Sequence, residues 1–182
     1  MKIRRFSWLL LCVALTVIGC EGPEGPAGPA GPAGSANVIY SDWYSPETWV
    51  AETTFGIAER TFTMTTDALT QEIIDYGVVL VYMRFVGFNP AINQLPMIVP
   101  DVNYSFWFRA QAGGIKVAYY STTDPGTDPG AIPSYNTVRY VLIPGGVLDE
   151  VAASEGIKYS RLVGSLDSMA YREVCDLLGI PE

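Results

Sequence analysis

Histidine is absent from this 182-residue sequence. Its absence excludes Ser-His-Asp and Cys-His catalysis and most zinc sites, because each of these depends on an imidazole. Charged residues are few, at 16% of the chain, and acidic residues outnumber basic ones by 19 to 11. The net charge of −8 repels phosphate groups, so nucleic acids are not expected among the partners of this protein.

Cysteine is scarce as well, with Cys12, Cys20 and Cys175 in the whole chain. Cys12 lies in an apolar segment that we expect to be removed, and Cys20 follows the predicted cleavage point. Cys175 is then the one free thiol of the mature chain, which excludes an intrachain disulfide. We predict that Cys175 is buried as a small apolar side chain.

The first nineteen residues have the pattern of a secretory signal. Lys2, Arg4 and Arg5 form a basic start, and residues 8–19 are uncharged. This stretch is too short for a membrane-spanning helix, which needs about 20 residues. A basic start before a short apolar stretch is typical of a cleaved signal peptide, so we predict that residues 1–19 direct export and are removed.

The end of this segment, Val17-Ile18-Gly19-Cys20, resembles the lipobox of bacterial lipoproteins. The resemblance implies that the Cys20 thiol is diacylglycerylated and that the signal is cut before it. Several acyl chains would then anchor the protein to a membrane, since each buried methylene contributes about 0.8 kcal/mol. The alternative is an ordinary signal peptide in which Cys20 is present by chance.

Glycine recurs at every third position of the next segment, residues 20–36. The repeated glycines are Gly22, Gly25, Gly28, Gly31 and Gly34, and proline follows the first four. This Gly-X-Y pattern favours polyproline II, and five triplets would reach roughly 46 Å as one strand at about 3.1 Å per residue. Two interpretations remain open: three chains wind together into a homotrimer, or the segment is a semi-rigid spacer that holds a domain away from the membrane.

Residues 37–182 are predicted to form one mainly β domain, an antiparallel sheet or a sandwich. Apolar and polar residues alternate over 104–111 and 59–65, which is typical of half-buried strands, and 38–43 is a further candidate. In 59–65 the threonines are expected to point outwards.

The runs 78–83 and 138–143 are apolar on both faces, which indicates central strands that are covered on both sides. Arg84 and Arg139 interrupt these strands, and we expect them to pair with carboxylates.

Two short helices are predicted beside the strands. Thr66 and Asp67 would begin an internal helix that ends at Gly77. A C-terminal amphipathic helix would run from an N-cap at Asp167 to Gly179. Its apolar face indicates that it docks on the sheet.

A two-residue turn at Gly113-Gly114 is predicted to join 104–111 to the next strand. This register places Trp107 opposite Tyr120 on the mixed polar face. Exposed aromatic rings stack on sugars and anchor protein interfaces, so we predict a binding face at Trp107 and Tyr120 with a glycan or a protein as ligand. The alternative is a cross-strand pair that only stabilises the sheet.

Acidic residues offer a weaker route to chemistry. Asp149, Glu150 and Glu155 lie in a predicted loop and could form a carboxylate pair with Asp167 for glycoside hydrolysis, but solvated loop acids are far more common. The repeated Asp-Pro-Gly of 124–130 has the composition of turns, with calcium binding as the alternative. We therefore assign no catalytic residue, no metal site and no cofactor.

The lipobox, the Gly-Pro-X triplets and several later stretches together resemble the collagen-like lipoproteins of Gram-negative cell envelopes. The later stretches are 36–43, 77–82, Leu95-Pro96, 139–146 and 171–174. The resemblance implies a protein anchored by lipid in the envelope, at the outer membrane, with a β-rich C-terminal domain. It brings no activity and no site residues. The expected function is a structural or interaction role without catalysis, the alternatives being a carbohydrate- or protein-binding module and, third, a carboxylate-dependent hydrolase.

Overall fold

The computed structural model of the protein describes residues 38–86 and 92–182, which all belong to one compact unit. The predicted signal peptide, the lipobox with Cys20 and the Gly-X-Y segment lie outside the described residues. Within 38–86 and 92–182, no helix is long and apolar enough to cross a membrane.

The described residues form a mainly β domain with two antiparallel sheets, as the alternating and apolar patterns predict. The strands are β1 (Ile39–Tyr40), β2 (Val50–Thr54), β3 (Ile57–Thr65), β4 (Val78–Arg84), β5 (Ile92–Gln94), β6 (Met97–Val99), β7 (Tyr104–Gln111), β8 (Gly114–Ser121) and β9 (Thr137–Ile143). The four-stranded sheet has the order β1-β9-β4-β5, and the five-stranded sheet has the order β2-β3-β8-β7-β6.

Four short α-helices and one 3₁₀ turn accompany the sheets. They are α1 (Gln71–Tyr76), the 3₁₀ turn (Pro100–Val102), α2 (Gly145–Ser154), α3 (Tyr159–Leu166) and α4 (Tyr171–Leu178) within the described ranges. One hydrophobic cluster joins the two sheets, and a second joins the four-stranded sheet to α2, α3 and α4. The domain therefore has three layers: the five-stranded sheet, the four-stranded sheet and a layer of helices.

The central strands β4 and β9 are buried on both faces, which confirms their prediction. In β4, Val81 and Met83 belong to the cluster between the sheets, while Leu80 and Tyr82 belong to the cluster under the helices. Because both faces are covered, these strands lack the alternation of half-buried strands.

The internal helix ends where predicted and begins later than predicted. Gly77 is the C-cap of α1, but the N-cap is Thr70 rather than Thr66 or Asp67. The Thr70 hydroxyl accepts a hydrogen bond from the backbone N–H of Ile73 (3.4 Å). The segment from Thr66 to Thr70 forms a turn instead, so the first plausible cap was not the one used.

The C-terminal helix likewise ends as predicted, at Gly179, whose φ is 64°. Its start is different, because Asp167 is the C-cap of α3, and α4 begins after Ala170. The N–H of Ala170 donates to the carboxylate of Glu173 (2.9 Å). The helix docks on the sheet through Tyr171 and neighbouring apolar residues, which confirms the expectation from its amphipathic pattern.

Residues 145–154, predicted as a loop, form helix α2, with Glu155 as its C-cap. Val147, Leu148 and Ala152 recur at helical spacing and are buried in α2. The prediction failed because Gly145 and Gly146 are turn-forming residues in most contexts, whereas here they form the first turn of the helix.

Candidate functional site

The five-stranded sheet turns one face to the core. On the other face Val50, Thr63 and Arg109 are exposed, whereas Glu59, Thr61 and Ala118 are buried. Met64, Phe106 and Val117 belong to the core between the sheets. Neighbouring residues along each strand point the opposite way, and Trp107 and Tyr120 among them belong to neither hydrophobic cluster of the described chain. We call this surface the open face; its residues include Val50, Glu52, Glu59, Thr61, Thr63, Ser105, Trp107, Arg109, Lys116, Ala118 and Tyr120.

Trp107 and Tyr120 share the open face, but they are not directly opposite each other. Trp107 pairs with Ala118, and Tyr120 pairs with Ser105, so the predicted register is wrong by two residues. A slip of two residues leaves every side chain on its original face. Trp107 and Tyr120 are consequently diagonal neighbours, close enough for large side chains to share one ligand.

The register differs because the turn lies one residue earlier than predicted. Ala112 and Gly113 form it, and Gly113 has a φ of 88°. Gly114 is already part of β8, where a Cβ atom would lie 3.2 Å from the carbonyl oxygen of Met64. Gly114 thus allows close approach of β3, a role that the sequence pattern does not distinguish from turn formation.

A guanidinium group stacks on the aromatic part of the open face. The Cζ atom of Arg109 lies 5.2 Å from the centre of the Trp107 ring. Arg109 is exposed, and Trp107 is half-buried. The pair offers a flat apolar surface beside hydrogen-bond donors, which suits protein surfaces and sugars alike.

An ion pair crosses the open face over a buried threonine. The Lys116 Nζ lies 2.9 Å from the Glu52 carboxylate, and the Thr61 hydroxyl donates to the same carboxylate (3.0 Å). The hydrogen bond from the Lys116 ammonium lowers the pKa of Glu52 below its usual value. Partial desolvation opposes this shift, and the Thr61 hydroxyl adds to it. Thr61 points outwards, as predicted, although it is only 2% exposed.

A second carboxylate lies beside the first. Glu59 is directly opposite Glu52 in the β2–β3 pairing and is 4% exposed. The Thr54 hydroxyl donates to it (2.8 Å). Like charges that face each other directly are unfavourable in a sheet, so Lys116 and the hydroxyls offset a repulsion built into this face. The open face therefore combines aromatic rings, cations and carboxylates on one sheet surface.

A separate groove of about 810 Å³ runs between the end of α1 and the start of α2. Three carboxylates line it, from Glu72, Asp75 and Asp149, together with the rings of Tyr76 and Tyr159. The Tyr159 hydroxyl donates to the carbonyl oxygen of Tyr76 (3.1 Å) and so fixes one wall.

The groove contains one of the four acids from which the sequence offers a carboxylate pair. Asp149 lines it, whereas Glu150, Glu155 and Asp167 do not. The carboxylates that accompany Asp149 come from α1, whose position against α2 the sequence pattern did not predict.

The Asp-Pro-Gly segment forms turns, and one of its acids binds an arginine. Asp128 accepts two hydrogen bonds from Arg60 (2.7 and 2.6 Å) and a third from the N–H of Gly130. The hydrogen bonds from Arg60 make the largest contribution to lowering the pKa of Asp128, and the N–H of Gly130 lowers it further. No cluster of acids suited to a metal ion occurs among residues 38–86 and 92–182.

Arg84 and Arg139 do not pair with carboxylates in the described chain, which corrects the prediction. The Arg84 Cζ lies 4.2 Å from the centre of the Trp43 ring. The Arg139 Cζ lies 4.8 Å from the Tyr40 ring and 5.9 Å from the Trp43 ring. Arg139 also donates to the Tyr171 hydroxyl and to the carbonyl oxygen of Pro181 (2.7 Å).

Function must be argued from this geometry, since comparisons of the chain with protein families, curated proteins and solved structures find no match.

Proposed function

We propose that this chain is an exported lipoprotein of the cell envelope, anchored at Cys20, whose β domain binds a protein partner through the open face and carries out no catalysis. The Gly-X-Y segment acts as a spacer of up to roughly 46 Å. The lipobox at Val17-Ile18-Gly19-Cys20 and the five triplets support the anchor and the spacer.

The observation that carries the binding role is the unequal covering of the two sheets. Helices α2, α3 and α4 bury the outer side of the four-stranded sheet, whereas the open face of the five-stranded sheet lies outside both clusters of the described residues. Trp, Tyr and Arg are the residues most enriched at the centres of protein interfaces, and Trp107, Tyr120 and Arg109 lie together here. An extended sheet surface favours a protein partner over a small ligand.

Anchoring is tested by a matched pair of cysteine variants in cells fed a fatty acid with a clickable group. Cys20→Ser should abolish labelling and release the protein from the membrane fraction. Cys12→Ser, in the segment that is removed, should change neither the labelling nor the membrane association of the protein. Labelling of the Cys20→Ser variant, or its loss in Cys12→Ser, would contradict the proposed anchor.

Binding is tested by placing a photo-crosslinking amino acid at Arg109 of the full chain in cells. We expect a discrete crosslinked protein that disappears with Trp107→Ala. The matched control position is Arg172, which is exposed on α4 at the opposite side of the domain layers. Equal crosslinks from both positions, or a product that polysaccharide-degrading enzymes remove, would overturn the choice of a protein partner.

The spacer role is tested by light scattering on residues 20–182 with Cys20→Ser and on residues 37–182. Monomers in both cases support a spacer. Trimers in both cases would replace it with a triple helix that the domain nucleates.

A further inference from the structure

Six side chains form a polar cluster on the helix side of the four-stranded sheet, which we call the arginine cluster. Its members are Trp43, Tyr82, Arg84, Gln94, Thr137 and Arg139. Tyr82 lies directly opposite both Gln94 and Arg139, and Arg84 lies directly opposite Thr137, so the strand residues share one face. Trp43 joins them through its contacts with both guanidinium groups.

Positive charge in this cluster lacks a matching negative charge. Arg139 is only 3% exposed, and both arginines contact the Trp43 ring rather than a carboxylate of the described chain. Asp167 reaches the rim, but it accepts from the Gln94 amide (3.4 Å) and not from a guanidinium. Aromatic faces offset part of the cost of a buried cation, yet two cations on one ring also repel each other.

The neighbouring tyrosine hydroxyls and the Cys175 thiol cannot supply the missing negative charge. Burial raises the pKa of the Tyr171 hydroxyl to about 12 and raises that of the Tyr82 hydroxyl further. Burial also raises the pKa of the Cys175 thiol. All three groups are therefore neutral at physiological pH.

Hydrogen-bonding atoms in the cluster are also without partners. Within the described chain, five of the six buried side-chain nitrogen and oxygen atoms that lack a hydrogen-bond partner belong to it: Trp43 Nε1, Tyr82 Oη, Gln94 Oε1, Thr137 Oγ1 and Arg139 Nε. Trp43 Nε1 and Arg139 Nε can only donate, and the two hydroxyls can donate. Such groups in one place call for an acceptor, since an unpaired buried donor costs about 1–3 kcal/mol.

We propose that the arginine cluster binds a small oxyanion group, a carboxylate, sulfate or phosphate, between Arg84 and Arg139. The oxygen atoms accept from the free Arg139 Nε and from Trp43 Nε1, and the charge compensates both guanidinium groups. The donor atoms themselves are buried, so the anion enters as the partly exposed side chains of Arg84, Gln94, Thr137 and Trp43 move apart at this end.

The test follows the indole N–H signals of the ¹⁵N-labelled full chain with Cys20→Ser in detergent micelles. Sodium sulfate, phosphate and acetate are titrated separately, with sodium chloride at the same ionic strength as the control. We expect a saturable shift of the Trp43 signal, identified through Trp43→Phe, with at least one of the three anions. The Trp49 signal, from the core between the sheets, should stay in place. Which anions act distinguishes a planar carboxylate from a tetrahedral group.

Variants separate binding from a general effect of salt. Arg84→Gln should weaken binding at least tenfold, and Arg84→Lys should retain most of it. Arg109→Gln is the matched control, because Arg109 also stacks on a tryptophan but lies on the open face. The proposal is overturned if chloride produces the same shift, if Arg84→Gln binds as tightly as the unmodified chain, or if no anion shifts the signal and a crystal structure shows only water there.

Discussion

The backbone of Gly145, at the start of α2, lies directly against the carbonyl oxygen of Tyr76, at the end of α1. A Cβ atom on Gly145 would come within 2.6 Å of that oxygen, whereas a Cβ on the adjacent Gly146 would meet no atom within 4 Å. The Tyr159 hydroxyl binds the same oxygen (3.1 Å). This close approach joins two elements that the sequence pattern left unconnected. Gly145 and Tyr76 both line the groove that also contains Glu72, Asp75 and Asp149, here called the acidic groove.

Two neighbouring glycines should therefore respond oppositely to alanine. Gly145→Ala forces the start of α2 away from the end of α1. We expect this substitution to lower the free energy of unfolding by roughly 1–3 kcal/mol. Gly146→Ala meets no obstacle and favours a helix, so its effect should lie between zero and about 1 kcal/mol of stabilisation. Urea unfolding measures both. Equal losses would show that α1 and α2 do not approach each other in this way.

The turn between β2 and β3 carries an unfavourable residue. Phe55 and Gly56 form it, with φ values of 53° and 83°, and the Phe55 side chain is fully exposed. Positive φ at both central positions favours Asn-Gly, and a bulky residue there is strained. Phe55→Asn should raise the free energy of unfolding by about 0.5–1 kcal/mol, because asparagine tolerates left-handed backbone better than phenylalanine and no contact is lost.

The matched control for that variant is Ile98→Asn, at an exposed residue of an edge strand with ordinary φ. It should leave the unfolding free energy unchanged or lower it slightly, because asparagine is a poor strand former. Thermal unfolding of both variants decides the matter. A loss of stability in Phe55→Asn would mean that the ring makes contacts in the folded domain.

The sequence was most informative where one residue pattern has one physical cause. Strands β4 and β9 are apolar on both sides because a sheet and a helical layer cover them, and β7 alternates because one face meets the open surface. Terminators were equally reliable, since Gly77 and Gly179 end their helices. The starts of these helices were predicted less reliably, because Thr66, Asp67 and Asp167 are as suitable for capping as the residues that do precede the helices.

The site was harder to predict because it depends on long-range placement. Arg84 and Arg139 stood out as charges in apolar strands, but nothing local shows that aromatic rings from distant segments would receive them. The acidic groove joins Asp149 to α1 through a close contact of backbone atoms, which leaves no pattern in composition. The face to which each strand residue points follows from the alternation of side chains along the strand. The register of β7 against β8 depended on which glycine of the Gly113-Gly114 pair lies in the turn, which the sequence pattern does not show.

Cys175 should be inert until the domain opens. Its thiol is 1% exposed, and burial raises its pKa, so both access and thiolate formation are suppressed. In residues 20–182 with Cys20→Ser, a thiol reagent should label no cysteine in native buffer and one per chain in denaturant. Ser154→Cys, at an exposed position of α2, should add one thiol that reacts at once. Rapid native labelling without that substitution would place Cys175 near the surface.

The Tyr119 hydroxyl links the five-stranded sheet to the loop before β9. It donates to the carbonyl oxygen of Gly130 (2.5 Å) and accepts from the N–H of Ile132 (2.9 Å). Burial raises the pKa of Tyr119 to about 12 from an ordinary value of 10. Because the folded state holds this proton more tightly, its contribution to stability is complete below pH 10 and is lost as pH rises towards 12.

Tyr119→Phe should therefore lower the free energy of unfolding by about 1–3 kcal/mol at pH 7, because the substitution removes both hydrogen bonds of the hydroxyl. The gap between the two proteins should narrow by about 1.4 kcal/mol per pH unit between pH 10 and 12, because only the unmodified protein then has to keep this hydroxyl protonated. Urea unfolding at pH 7, 9, 10 and 11 measures the gap. Tyr135→Phe is the control, because it also removes a tyrosine hydroxyl, but from a ring that is 56% exposed. A gap that stays constant from pH 9 to 11 would show that the Tyr119 hydroxyl is accessible to water in the folded domain.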